Sequence, residues 1–157
     1  MELLQGEALD DLFRGFARDV GVAARMERQH APYNGDHKFH FIVAEQDLHT
    51  TVGDTGVMIG QLDRLLVVMS LSRVIVGIIP ANSEYRVPTN QFIMFDNRLV
   101  HVETISAELT ISQPREIALY NKTFAELATQ AVTGSAARGL ITTALNHLRA
   151  GTGFARS

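Results

Sequence analysis

The stretch VIVGIIP, Val74 to Pro80, decides how the rest of the chain must be arranged. It is short, rich in β-branched residues and ended by proline, so it reads as a strand rather than a helix turn. Its apolar residues do not alternate with polar ones. A strand of that kind is covered on both faces, which predicts a central position in a sheet sandwiched between helices.

Working outward, Lys38 to Ala44 alternates, with Phe39, Phe41 and Val43 on one side and His40, Ile42 and Ala44 on the other, and predicts a second strand. Between the two, after GDTG (Gly53 to Gly56), Met58, Leu62, Leu65, Leu66 and Met69 mark one face of an amphipathic helix. Downstream, Pro80 to Asn90 is polar and loop-like. FIMFDNRLVHVET (92–104) then reads as a hairpin turning at Asp96-Asn97-Arg98, with a weaker third antiparallel strand over Thr104 to Ile111. Pro114 opens a helix whose apolar face carries Ile117, Tyr120, Phe124, Leu127 and Ala131, and a last helix spans roughly Ser135 to Leu148. Upstream, Leu9, Leu12, Phe13, Phe16 and Val20 share a face of a helical segment running from Glu7 to Gln29, interrupted at Gly21. HAPYNGD (His30 to Asp36) forms a turn before the first strand.

These elements predict an α+β or α/β sandwich: a small mixed sheet with a C-terminal antiparallel hairpin, packed by helices. The expected organisation is one domain over 1–150. It comprises an N-terminal helical segment (1–30), a sheet with one helix (37–111) and C-terminal helices (114–148), followed by a frayed tail (151–157). At 157 residues the chain is long enough for one real core.

Charge and composition narrow the function. A net charge of −3 offers no basic footprint for nucleic acid or an anionic membrane, so no direct nucleic-acid partner is expected. With no cysteine, disulfides, thiolate metal sites and cysteine nucleophiles are out of reach. The opening MELLQGEALDDLFRGF lacks the basic start of a signal peptide and no apolar run is long enough to span a membrane, which predicts a cytoplasmic protein. Phosphate loops, dinucleotide fingerprints, nucleophile elbows and His-Glu-x-x-His are all missing from the sequence. No cofactor is expected.

The titratable residues cluster in two places. HKFHFIVAEQDLH holds three histidines within His37–His49, but His40 and Glu45 differ by an odd number and would face opposite sides of a continued strand, so no metal site is expected there. Glu45 stands at the C-terminal end of its strand, where α/β folds form ligand crevices. In the hairpin, Leu99, His101, Glu103 and Ile105 share a face by parity. His101 and Glu103, about 7 Å apart along the strand, could act on one ligand or simply pair. The candidate ligand-binding set is Glu45, His101, Glu103 and Tyr120, with His40 as an outlier. Its carboxylates would fix a cationic or hydroxylated ligand and Tyr120 would supply a flat wall.

Six fragments taken in order, ARMERQHAPY (24–33), FHFIVAEQDLHT (39–50), VMIGQLDRLL (57–66), VIVGIIP (74–80), FIMFDNRLVHVET (92–104) and PREIALYNKTFAELATQAV (114–132), resemble the C-terminal domain of unknown function of actinobacterial WhiJ-like, antitoxin-like transcriptional regulators. The opening LLQGEALDDLFRGF resembles a second actinobacterial family of unknown function. The first resemblance implies a domain that receives a signal, a small molecule or a short protein, and passes it to a helix-turn-helix reader. Too few residues precede the first strand here for such a reader, so a stand-alone sensor-like domain is expected, with a homodimer as the default assembly. A looser likeness to phospholipase-D-like sensor domains does not carry their catalysis, because His37 and Lys38 are adjacent rather than spaced. Two rival expectations remain. One is an enzyme on a small metabolite, with Glu103 or Glu45 as general base and His101 as proton partner. The other is an antitoxin-like module that masks a protein through the Met58–Met69 helix or the N-terminal helix.

Overall fold

The computed structural model describes residues 22–28, 37–84 and 90–153. A single six-stranded sheet organises them. Its strands are β1 (Val22–Arg28), β2 (His37–Ala44), β3 (Val74–Ile79), β4 (Phe92–Phe95), β5 (Leu99–Glu103) and β6 (Glu108–Ile111), in the spatial order β3-β2-β1-β4-β5-β6. β1 pairs antiparallel with β2 and parallel with β4; β2 and β3 are parallel, while β4, β5 and β6 form an antiparallel meander. The sheet is mixed, as expected, and helices cover both faces.

On one face, Phe39, Phe41 and Val43 of β2 and Val74, Val76 and Ile78 of β3 are buried under α2 (Thr55–Val68) and α4 (Gly134–Gly153), joined by Leu48 of the short α1 (Glu45–His49). On the other, Ile42, Ile79, Phe92, Met94, Val100 and Val102 are buried under Ile117, Phe124 and Leu127 of α3 (Pro114–Gln130). The two cores follow from the period-two alternation of β2, β4 and β5: each strand sends alternate side chains to opposite layers. The helices start where their chemistry allows. Asp54 caps α2 by accepting a 2.8 Å hydrogen bond from the backbone N–H of Val57, and Pro114 occupies the first turn of α3, where its missing N–H is not needed.

Two expectations are corrected. Val22–Arg28, read as the end of an N-terminal helix, is instead strand β1, flanked on both sides by other strands. VAARMER has no local β signal, and it is pairing with β2 and β4 that overrides its helical propensity. The helical reading of 7–21 and the turn at 30–36 lie outside the described residues. β3, expected at the centre, is an edge strand. It is nevertheless buried, because the chain after α3 folds back on it: Ile78 N–H donates to Val132 O at 2.9 Å and Val132 N–H to Ile78 O at 2.8 Å. Ile75 remains the exposed exception on that strand.

The rest agrees in outline. The hairpin turns at Asp96, whose φ of 50° lies in the left-handed region, an arrangement Asp tolerates better than most residues. The last helix continues to Gly153, past its expected end at Leu148. Among the described residues, no helix is long and apolar enough to cross a membrane.

Candidate functional site

The five candidate residues fall in three places. Glu45 opens α1 directly after β2, and its Oε2 accepts a 2.6 Å hydrogen bond from the backbone N–H of Ala81, two residues beyond β3. β2 and β3 run parallel with Ala44 opposite Ile79, so the carboxylate ties together the C-terminal ends of two adjacent strands. It stands where a ligand crevice was expected, with its Oε2 held by a backbone amide.

Two residues further on, Asp47 is half-buried, and burial pushes its carboxyl above the ordinary value of 3.8, while a hydrogen bond with the Ala44 backbone pulls it partly back. The folded protein therefore holds this proton more tightly than the unfolded chain does. By linkage, Asp47 makes stability fall as pH rises from 3.8 through the raised value, with the full penalty present above it. Asp47→Asn, which removes that titration, is expected to melt no lower than the parent near neutral pH and to lose any advantage as the pH is lowered into the acid range. Melting temperatures of both proteins across that range check this; a parent that gains on the variant as pH rises contradicts it.

His40 and Tyr120 lie on the face under α3. The His40 ring meets Phe124 edge-on at 5.0 Å, and Tyr120 meets Phe92 in the same manner at 5.0 Å. Phe92 and Phe124 in turn contact each other, at 6.5 Å. Both polar rings are thus part of the aromatic packing that seats α3. Arg25 of β1, opposite His40, donates from Nη2 to Asn97 Oδ1 at 3.1 Å, linking the middle of the sheet to the β4–β5 turn.

His101 and Glu103 lie on the opposite face, away from Tyr120, because residues 99, 101 and 103 alternate with buried Val100 and Val102. Of the alternatives left open for His101 and Glu103, the structure shows no hydrogen bond between the two and leaves Glu103 exposed. His101 Nδ1 is 3.0 Å from Glu108 Oε1, on β6, and its ring rests edge-on against Phe95 at 5.2 Å. Glu103 sits directly opposite Glu108, and His101 opposite Thr110. In an antiparallel pair, opposite residues share a face, so His101, Glu103, Glu108 and Thr110 form one polar surface next to half-buried Leu99 and Phe95. Alternation along β5 accounts for His101 and Glu103 on this surface. Glu108 was missed because the two-residue turn at Ile105-Ser106, which sets the β5–β6 register, carries none of the usual Asn-Gly or Asp-Gly signal.

The electrostatics of this surface are one-sided. A carboxylate oxygen accepts, so in this contact His101 donates from Nδ1 to Glu108. Two carboxylates directly across from each other repel. At 33% and 66% side-chain exposure the His101–Glu108 contact contributes at most about 1 kcal/mol, too little to explain the cluster as a stabilising device. The arrangement accepts hydrogen bonds and positive charge. Among the described residues, no three His, Asp or Glu side chains come together as a metal site.

Comparison with families places the chain. The model of the family described as "Domain of unknown function (DUF5753)" matches residues 13–143. The chain belongs to that family. The match takes in every strand, α1, α2 and α3, and the first half of α4, so the DUF5753 region contains the β5–β6 surface and most of both cores. Comparison with curated proteins and with solved structures gave no match.

Proposed function

We propose that this DUF5753 domain is a regulatory module that binds a positively charged ligand, a small molecule or a short protein segment, on the β5–β6 face of its sheet. The observation that carries the reading is the gathering of the Glu103 and Glu108 carboxylates beside the His101 ring on one accessible sheet face next to Phe95. An ammonium or guanidinium group would find two carboxylates there and an aromatic edge for its apolar stem. The regulatory part of the reading comes from the resemblance to WhiJ-like, antitoxin-like regulators, in which the corresponding domain follows a DNA-binding one. The net charge of −3 fits signal reception better than direct contact with nucleic acid.

Titration calorimetry with trilysine, and with triglutamate as control, tests this. Trilysine is expected to bind with an affinity that falls as salt is added. The double variant Glu103→Gln, Glu108→Gln is expected to lose about tenfold of that affinity with an unchanged or slightly higher melting temperature. Equal heats for the two peptides, or undiminished binding by the variant, would refute it.

A second reading, an acid–base enzyme, is favoured by the His101–Glu108 hydrogen bond, since a carboxylate at Nδ1 is how a general-base histidine is oriented. On that reading Glu108→Gln abolishes turnover of a metabolite while leaving its binding intact.

A further inference from the structure

The two edges of the sheet are treated differently. The β3 edge is bridged at Ile78 by its paired hydrogen bonds with Val132, whereas β6, at the other end of the order, has Glu108, Leu109 and Thr110 exposed.

The hydrogen-bond phase of β6 can be worked out from its turn. Thr104 N–H donates to Ala107 O at 2.8 Å, and Ala107 N–H donates to Thr104 Oγ1 at 3.1 Å. Residues 104 and 107 are therefore a hydrogen-bonded position, and antiparallel ladders alternate. The pairs Val102–Leu109 and Val100–Ile111 point their backbone groups at each other, and Glu103–Glu108 and His101–Thr110 do not. The N–H and C=O groups of Glu108 and Thr110 therefore point away from β5, along an edge that no other described strand pairs. Their side chains point onto the acceptor face, while Leu109, 48% exposed, and Ile111 lie on the other.

We infer that β6 receives an extended segment of a protein partner as a seventh strand, and that this segment alternates basic and apolar residues. The inference rests on the reading of the His101–Glu103–Glu108 face as cation-binding and specifies how that face is approached. An added strand runs about 4.8 Å from β6 and bonds the outward groups of Glu108 and Thr110. Every second side chain of that strand falls on the carboxylate face, where Lys or Arg is favoured, and the others fall beside Leu109 and Ile111, where an apolar residue is favoured. Charge argues against a second copy of this chain in the same place, because it would bring a further Glu103 and Glu108 to a face that already holds two opposed carboxylates.

Two hexapeptides test the proposal: one alternating lysine and valine, the other its counterpart with every backbone amide N-methylated. Both carry the same charge, but in the second the amides that an added strand of either direction would donate are blocked. The lysine–valine peptide is expected to bind about tenfold tighter. It is also expected to slow hydrogen exchange at the Glu108 and Thr110 amides of the unaltered chain. Thr110→Pro removes one outward N–H at an edge position that tolerates proline and leaves every carboxylate in place. It is expected to erase the difference between the peptides, with circular dichroism reporting the fold.

Equal binding of the two peptides, with unchanged exchange at Glu108 and Thr110, overturns strand addition. If the double variant Glu103→Gln, Glu108→Gln still weakens both peptides, the cation-binding face survives that result; if it does not, both readings fall. Sedimentation showing a dimer of the unaltered chain that Thr110→Pro dissociates would assign the edge to a second copy and refute the proposal.

Discussion

Phe92→Ala is expected to destabilise the protein by about 3–5 kcal/mol, a large share of the roughly 5–15 kcal/mol that holds a domain together. Phe92 is 1% exposed and sits where α3 crosses the sheet, edge-on to Tyr120 at 5.0 Å and to Phe124 at 6.5 Å. Truncation removes a buried ring, leaves a cavity under the helix and deletes two aromatic pairs, each worth about 0.5–1.5 kcal/mol beyond its area. Urea unfolding should show a lower midpoint with an unchanged slope, the mark of lost stability rather than an altered unfolded state. Phe95 provides the control. It belongs to the same strand but faces the other layer and is only half-buried, so Phe95→Ala should cost clearly less. Equal losses at the two positions would contradict the two-layer assignment of β4.

Gly77→Ala is expected to cost about 1–3 kcal/mol, an overpacking loss. A Cβ built at Gly77 would lie 2.9 Å from the Cβ of Ala131 and 3.6 Å from the carbonyl oxygen of Phe41. Ala131 cannot easily retreat, because it caps α3 and the next residue, Val132, is held to Ile78 by two hydrogen bonds. The prediction has an internal test. Ala131→Gly removes the obstructing methyl at an extended, non-helical position, so the double variant should recover most of the loss, a coupling of about 1 kcal/mol or more. If the two losses simply add, the contact between α3 and β3 is not what makes glycine necessary there.

Much of this architecture was legible from residue patterns, for reasons that differ between elements. β2 and the β4–β5 hairpin were readable because alternation is a local property and both strands have two differently covered faces. Tyr120, Phe124 and Leu127 could be assigned to one side of α3 from helical spacing alone. β1 was not readable, since VAARMER becomes a strand only through its neighbours on both sides. The candidate site was legible in its residue types but not in its arrangement. Parity placed His101 and Glu103 on one face, and it could not show that Tyr120 is on the other side of the sheet, that Glu45 binds the Ala81 amide, or that Glu108 is the partner of His101.

By itself, the sequence determined which side chains face together within an element, where the helices over 55–68 and 114–130 run, and that the chain has no thiol chemistry. Tertiary structure alone decided the order of the strands, the bridging of the β3 edge by Val132 and the meeting of Glu108 with His101. The physical reason is range. Alternation and helical period are set by backbone geometry over a few residues, whereas strand order and edge bridging depend on contacts between segments far apart in the chain, whose partners no local pattern names.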